Sequence, residues 1–170
     1  YFLGALDGFE DCERAAAAAM PELERWVPHR LAALDFELRE AAAAFDFNRY
    51  TRAITTFAND DLSAFFFDIR KDSLYCDAPD SPKRRAYRTV LDTVFHALVR
   101  WLSPILCFTT EEVWAYRWYA VAGGSHADGD FAAHLRWYVA TGGPHLAAGG
   151  EAPARSVHLL EWPEIDAASG

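Results

Sequence analysis

The spacing of apolar residues along the chain predicts helices. From Pro21 onward, apolar side chains recur every three or four residues, which places them on one face of a helix of about six turns. Proline at the first helical position loses no hydrogen bond that a helix needs, so we expect this helix to start at Pro21. Asp46 and Asn48 break the pattern, and either can cap the next helix. The apolar positions of the first helix are Leu23, Trp26, Val27, Leu31, Leu34, Leu38, Ala41 and Phe45.

Two further periodic segments follow. The second runs from Asn48 towards Tyr75, and its polar run at 59–61 either interrupts the helix or caps a new one. The third begins at Ser81-Pro82, a favourable helix start. Ser103-Pro104 ends or kinks this third helix, because proline lacks a donor and crowds the preceding turn.

The remaining segments complete an all-α prediction. Thr109 to Glu112 has the T-x-x-E spacing of a capping box and predicts the start of a short helix. Strand signals are almost absent and no repeat is found, so we expect a helical bundle in a single domain over residues 1–170. Its predicted parts are an irregular stretch at 1–20, the bundle at 21–116, an atypical glycine-rich insertion at 117–154 and a short tail at 155–170, extended over 156–161.

Composition excludes several classes of protein. The chain has 170 residues, of which 52% are hydrophobic and 15% aromatic, so it is not intrinsically disordered. The longest apolar run, Ala15–Met20, is far too short to span a membrane. Three scattered cysteines form no C-x-x-C pair, so neither a disulfide framework nor a zinc knuckle is indicated. The chain begins at Tyr1 rather than at a methionine, and we expect it to be a piece of a longer protein.

No motif in the sequence assembles a catalytic site. The six histidines form no H-x-x-x-H or E-x-x-H pair, and no phosphate loop, G-x-S-x-G or G-x-G-x-x-G is present. Glu111 and Glu112 could pair as catalytic carboxylates, but at a helix start they serve the cap and the helix dipole better. No sequence motif therefore supports the hypothesis of an autonomous hydrolase or metalloenzyme. We expect no catalytic residues, no metal site and no cofactor in the chain itself.

Charge is distributed unevenly along the chain. The formal net charge is −9, yet residues 70–100 hold seven basic and four acidic side chains. Arg84, Arg85 and Arg88 lie at a helix start, where positive charge opposes the helix dipole. An unfavourable local placement is consistent with a phosphate-binding role. The alternative is a solvated helix face paired with Asp80 and Asp92, and charge alone does not separate the two interpretations.

Four stretches of sequence carry a family resemblance. They are FDFNR at 45–49, DLSAFFFDIRKDSLY at 61–75, LVRWLSPIL at 98–106 and FTTEEVW at 108–114. In this order and spacing they resemble the anticodon-binding domain of bacterial isoleucyl-tRNA synthetases, which are class I enzymes. The D-I-R-K-D run favours isoleucine over the related valine and leucine enzymes. The class I signatures H-I-G-H and K-M-S-K-S are absent, so the resemblance assigns amino-acid activation to another part of the protein.

The resemblance implies which residues would contact RNA. In related domains the end of the helix carrying Asp68 to Asp72 faces the anticodon loop, which implies Lys71 as a base or phosphate contact with Arg70 beside it. The alternative for Lys71 is an exposed lysine paired with Asp68 or Asp72.

Given the RNA partner that the resemblance implies, side-chain chemistry suggests further candidate contacts. Arg84, Arg85 and Arg88 are candidates for backbone phosphates, because guanidinium groups match phosphate geometry. Tyr75 is a candidate for stacking on an unpaired base, with core or loop packing as the alternative. Arg49 and Arg52 are candidates for stem phosphates.

The resemblance also implies partners and cofactors. The fragment would dock the anticodon stem-loop of isoleucine tRNA, while other domains of the synthetase use ATP and Mg²⁺ to charge it. A zinc ion in a C-terminal module is a further expectation for the full-length enzyme. We expect a cytoplasmic monomer without membrane association. The alternative function is a structural bundle that holds the catalytic core and the C-terminal module in register without reading bases.

Overall fold

A computed structural model describes residues 1–121, 157–163 and 165 of the chain. These residues form helices and no strand, which confirms the all-α prediction. The part of the 117–154 insertion beyond Val121 lies outside the described residues. The α-helices, in chain order, are α1 (Phe2–Ala5), α2 (Glu22–Ala43), α3 (Phe47–Thr56), α4 (Asp68–Cys76), α5 (Pro82–Leu102) and α6 (Cys107–Val121).

Prolines mark the starts of the two long helices to within one residue of the prediction. Pro21 is the N-cap of α2, directly before its first residue Glu22, and α5 begins at Pro82. Of the two outcomes open at Ser103-Pro104, α5 ends, because its last residue is Leu102. Asp46 caps α3, since its side chain accepts a hydrogen bond of 2.9 Å from the backbone N–H of Arg49.

The capping-box prediction for α6 is wrong. The helix begins at Cys107, and the Thr110 hydroxyl donates to the Leu106 carbonyl at 2.9 Å, as a threonine inside a helix does. Glu111, which precedes the predicted box residue Glu112, accepts a hydrogen bond from the backbone N–H of Val157 at 3.1 Å, a contact across 46 residues of the chain.

Residues 157–160 of the predicted extended piece at 156–161 form a turn instead. Val157–Leu159 forms a 3₁₀ turn, closed by a 3.2 Å hydrogen bond from the N–H of Leu160 to the carbonyl of Val157. Val157 is buried, and its N–H is taken by Glu111. A single strand would find no partner strand among the described residues, whereas the turn satisfies its own backbone.

The second periodic segment is one continuous helix whose middle is π-helical. Residues Phe57–Phe67 make this π segment, between α3 and α4. The run at 59–61 therefore neither interrupts the helix nor caps a new one. Buried positions reveal the cause: Tyr50, Ile54 and Phe57 follow at steps of four and three, but the next buried residue, Leu62, comes five residues later. Because a π turn bonds residues five apart, the wider turn keeps Leu62 on the buried face.

The described chain divides into two compact units. One consists of Tyr1–Cys12 and the described part of Phe95–Pro163, and the other includes Glu13–Val94. We call these the tail unit and the α2–α4 unit. The prediction of a single domain and its boundaries stays a prediction.

Each unit has its own apolar core. In the α2–α4 unit, the buried face of α2 packs on α3, and the ring of Phe66 meets the ring of Tyr87 edge-on with centroids 4.9 Å apart. In the tail unit, His96 lies edge-on to the buried Trp114 with ring centroids 5.6 Å apart. The buried residues of α2 are Glu24, Val27, Leu31, Leu34, Leu38 and Ala41.

Replacing Phe66 by alanine is expected to lower the free energy of unfolding by about 3–5 kcal/mol, because Phe66 is fully buried and its removal leaves a cavity beside Tyr87. Chemical denaturation followed by circular dichroism measures the loss. The matched control is Phe65→Ala on the neighbouring residue, which is 42% exposed, and should lose about 1–2 kcal/mol. Equal losses for the two variants would contradict the packing of the π segment.

Alkaline pH is expected to destabilise the α2–α4 unit through Tyr50. Burial, aided by the charge of Asp35, raises the pKa of Tyr50 from 10.0 to about 12. Between those values the unfolded chain releases this proton and the folded chain keeps it, so stability is full below pH 10 and falls as the pH rises. The loss amounts to about 2 kcal/mol by pH 12. Denaturation at pH 8 to 12 should show a shallower decline for Tyr50→Phe than for the unsubstituted chain.

Candidate nucleic-acid interface

Most of the predicted RNA-contacting residues lie at one end of the α2–α4 unit. Helix α4 carries Arg70, Lys71 and Tyr75, and the first turns of α5 carry Arg84, Arg85 and Arg88. A short connection at 77–81 joins the two helices. The structure divides these residues into two groups: those bonded within the fold and those that project into solvent.

Arg70 is bonded to a buried carboxylate. Its Nε and a terminal nitrogen donate to the two carboxylate oxygens of Glu24 at 2.5 and 2.9 Å. The Glu24 side chain is fully buried and the Arg70 side chain is only 12% exposed. Two of the three guanidinium nitrogens of Arg70 are thus bonded to α2, and its role as an RNA contact stays a prediction.

Arg88 and Arg85 hold the N-terminal segment of the unit. Arg88, whose side chain is 6% exposed, donates to the Glu13 carboxylate at 2.7 Å, and Arg85 Nε donates to the Glu13 main-chain carbonyl at 3.0 Å. Arg88 is thus buried and paired within the fold, and its role as a phosphate contact stays a prediction. Part of the Arg85 guanidinium is likewise directed into the fold.

A buried aspartate of α5 pairs with the N-terminal segment of the unit. Asp92 is buried and forms an ion pair with Arg14. The backbone N–H of Ala15 donates to the Thr89 hydroxyl at 3.0 Å. Residues 13–15 of the predicted irregular stretch therefore lie along α5. Glu13 and Arg14 there pair with the buried charged side chains of α5.

Arg84 explains why positive charge is placed at the start of α5. Its Nε donates to the main-chain carbonyl of Leu74 at 3.0 Å. That carbonyl belongs to the last turn of α4, whose final carbonyls have no partner within the helix. Arg84 thus stabilises the C-terminal end of α4, where a cation is favourable. The unfavourable placement at α5 has a structural reason in addition to any role with phosphate.

Lys71 and Tyr75 project from α4 into solvent. They are four residues apart and so share one face of the helix. The side chain of Lys71 is 54% exposed, and Tyr75 is 74% exposed, which rules out the core-packing alternative for Tyr75. Lys71 Nζ lies 2.6 Å from an Asp68 carboxylate oxygen, and this bond raises the pKa of Lys71. This pair is the one expected if Lys71 is an exposed surface lysine paired with Asp68, and the lysine side chain remains accessible to solvent.

Arg49 and Arg52 line a separate groove of about 560 Å³ between α2 and the helix that begins at α3. Arg49 bonds Glu37 and Glu40 at 3.4 and 3.1 Å, and these two carboxylates raise its pKa. Arg52 is exposed, and among the described residues it has no ion pair. The groove is therefore of mixed charge, and Arg52 is its most available cation.

Sequence reasoning missed Glu24, although a signal was present. Glu24 falls on the same three- and four-residue spacing as Val27, Leu31 and Leu34, so it occupies a core position of α2. A carboxylate at a core position requires a buried cation as its partner. Arg70 is that cation, but 46 residues separate the two, so the sequence names no partner.

The described residues hold no group of three histidine, cysteine or acidic side chains able to bind a metal ion. The three cysteines are exposed and form no disulfide bond. Within the part of the chain that the structure covers, no helix is long and apolar enough to cross a membrane.

Comparisons with known proteins place the chain in a family. Residues 24–169 match the family described as the anticodon-binding domain of tRNA ligase. An isoleucine–tRNA ligase of Zymomonas mobilis is 46% identical over 98% of the chain, which spans 15% of that protein's length. Those of Ruegeria pomeroyi and Agrobacterium fabrum are 51% and 53% identical over 74% and 69% of the chain, which spans 13% and 12% of their lengths.

We expect a buried arginine to contribute to the free energy of unfolding and an exposed arginine to contribute little. Arg88→Ala should lower the free energy of unfolding by about 2–4 kcal/mol, because it leaves Glu13 without its buried partner. Arg52→Ala should change it by less than about 0.5 kcal/mol, as surface substitutions do. Urea denaturation of both variants checks the contrast, and an Arg88→Ala variant as stable as Arg52→Ala would contradict the structural role of Arg88.

Proposed function

The chain belongs to the family of anticodon-binding domains of tRNA ligases, and from this premise we propose that it binds the anticodon stem-loop of isoleucine tRNA. The observation that carries the proposal is the family match over residues 24–169, together with relatives named isoleucine–tRNA ligase. Because the chain spans 15% of the length of such a relative, the charging of the tRNA is proposed for other domains of a longer protein.

The exposed face of α4 supports RNA contact by Lys71 and Tyr75. An aromatic ring that is 74% exposed offers a stacking surface to an unpaired base, and a lysine one turn away offers charge to phosphate or a base edge. Arg84, which is partly buried and bonded through Nε, retains further donors for phosphate, and Arg85 beside it is a further proposed contact. Arg52, and Arg49 beside it, are proposed contacts to stem phosphates.

A scaffold role is the second candidate function, and one observation favours it. Arg70, Arg84, Arg85 and Arg88 all bond groups of the chain itself. Their positive charge therefore serves the fold to a large extent. In the scaffold hypothesis the bundle holds the catalytic core and a C-terminal module in register and reads no base.

Further properties belong to the proposed longer protein. Isoleucine activation would use ATP and Mg²⁺ in a separate catalytic domain, and a zinc ion would lie in a C-terminal module. We propose that the protein acts as a monomer in the cytoplasm.

Binding of an isoleucine-tRNA transcript to the 170-residue chain over a salt series tests the proposal. Lys71→Ala should weaken binding at every salt concentration and make the slope of log affinity against log salt shallower by about 0.7–0.9, the share of one phosphate. Tyr75→Ala should weaken binding by about 1–3 kcal/mol with the slope unchanged, because stacking releases no counterions.

The control variant is Arg39→Ala, which removes an exposed arginine of α2 paired with Asp35 and should leave the affinity nearly unchanged. A second transcript with a substituted anticodon should bind more weakly than the first. Equal binding of both transcripts, with no effect of Lys71→Ala or Tyr75→Ala, would favour the scaffold.

A further inference from the structure

Glu24 lies on α2, and its carboxylate faces Arg70 of α4, the residue directly before Lys71. It is fully buried, and both of its oxygens accept from Arg70. Glu24 itself has no access to RNA. Its contact with Arg70 joins α2 to α4 directly beside Lys71, a proposed RNA contact.

Such a pair needs an explanation other than stability. Taking two charges out of water costs about as much as their attraction returns, so a buried ion pair contributes little to the free energy of folding compared with apolar side chains. A two-point bond between a planar guanidinium and a carboxylate does, however, set direction, because both groups must lie in register for two hydrogen bonds to form. Orientation is therefore what Glu24 and Arg70 supply.

We propose that Glu24 is a positioning residue for RNA recognition, which through Arg70 fixes the rotation of α4 and so directs Lys71 and Tyr75 outward. The proposal rests on the proposed function of the α4 face. Successive residues of an α-helix differ by about 100° around the axis. With Arg70 held against α2, Lys71 is carried away from that contact, and Tyr75 follows on the same face as Lys71.

The π segment makes this restraint necessary. Helix α4 continues directly from Phe57–Phe67, whose wider turns have already shifted the register of the helix. Phe66 is anchored in the core four residues before Arg70, and beyond it α4 buries only Ser73 and Leu74. The bond to Glu24 thus adds a directional restraint where the apolar contacts of the helix become few.

The test uses Glu24→Gln, because simple electrostatics and the proposal predict opposite changes in the affinity for RNA. Removing a negative charge from a protein that binds a polyanion should strengthen binding if charge alone matters. The proposal predicts weaker binding of the isoleucine-tRNA transcript, by about fivefold or more. Asp35→Asn is the matched control: it removes a carboxylate of α2 that pairs with Arg39, and should leave affinity unchanged or slightly stronger.

A double-mutant cycle with Lys71→Ala separates positioning from general loss of stability. If Glu24 acts by directing Lys71, the effect of Glu24→Gln should be reduced in the Lys71→Ala background. Additive effects would overturn the proposal. Binding is measured well below the unfolding temperature of each variant. If Glu24→Gln does not fold, the test uses Arg70→Lys, which keeps the charge but loses the two-point bond. It should weaken binding in the same way, and unchanged affinity would overturn the proposal.

The outcomes also distinguish this proposal from the proposed function. If the unsubstituted chain binds no transcript, or if Lys71→Ala and Tyr75→Ala have no effect, the RNA-binding face itself is wrong. If those two variants weaken binding while Glu24→Gln strengthens it or leaves it unchanged, the face stands and only the positioning role fails.

Discussion

Burying a charged side chain is costly unless an opposite charge accompanies it, and this cost organises the α2–α4 unit. Glu24, Arg88 and Asp92 are each buried, and each is paired with a group from a distant part of the chain. The pairs join α2 to α4 and residues 13–14 to α5. Because each pair would be destabilising if half of it were removed, the segments that carry the partners must lie where they do.

The π segment is the second constraint on this unit. A step of five residues between Phe57 and Leu62 keeps one continuous helix packed along its length, and it determines which residues of α4 face α2. Arg70 is turned inward, and Lys71 and Tyr75 are turned outward. The surface offered to a partner is thus set by packing that lies up to four turns earlier in the same helix.

The charge of the chain has a similar explanation. A net charge of −9 argues against a binder of nucleic acid, whereas the local excess of basic residues at 70–100 argues for one. Much of that excess is used within the fold, where Arg70 and Arg88 pair with Glu24 and Glu13, and Arg84 stabilises the end of α4. If the small exposed face of α4 binds RNA as proposed, the acidic charge elsewhere on the protein would limit non-specific binding to RNA.

The sequence by itself determined the long helices, their starts at or next to Pro21 and Pro82, and the family, because periodicity, helix signals and short sequence motifs are properties of neighbouring residues. Only the tertiary structure decided which charged residues are internal. Glu24 meets Arg70 across 46 residues and Glu13 meets Arg88 across 75, and no local pattern encodes such pairings. The same holds for the turn at Val157–Leu159, whose backbone is held by Glu111 of α6. Local spacing sets secondary structure, but the partner of a buried charge is chosen by the packing of distant segments.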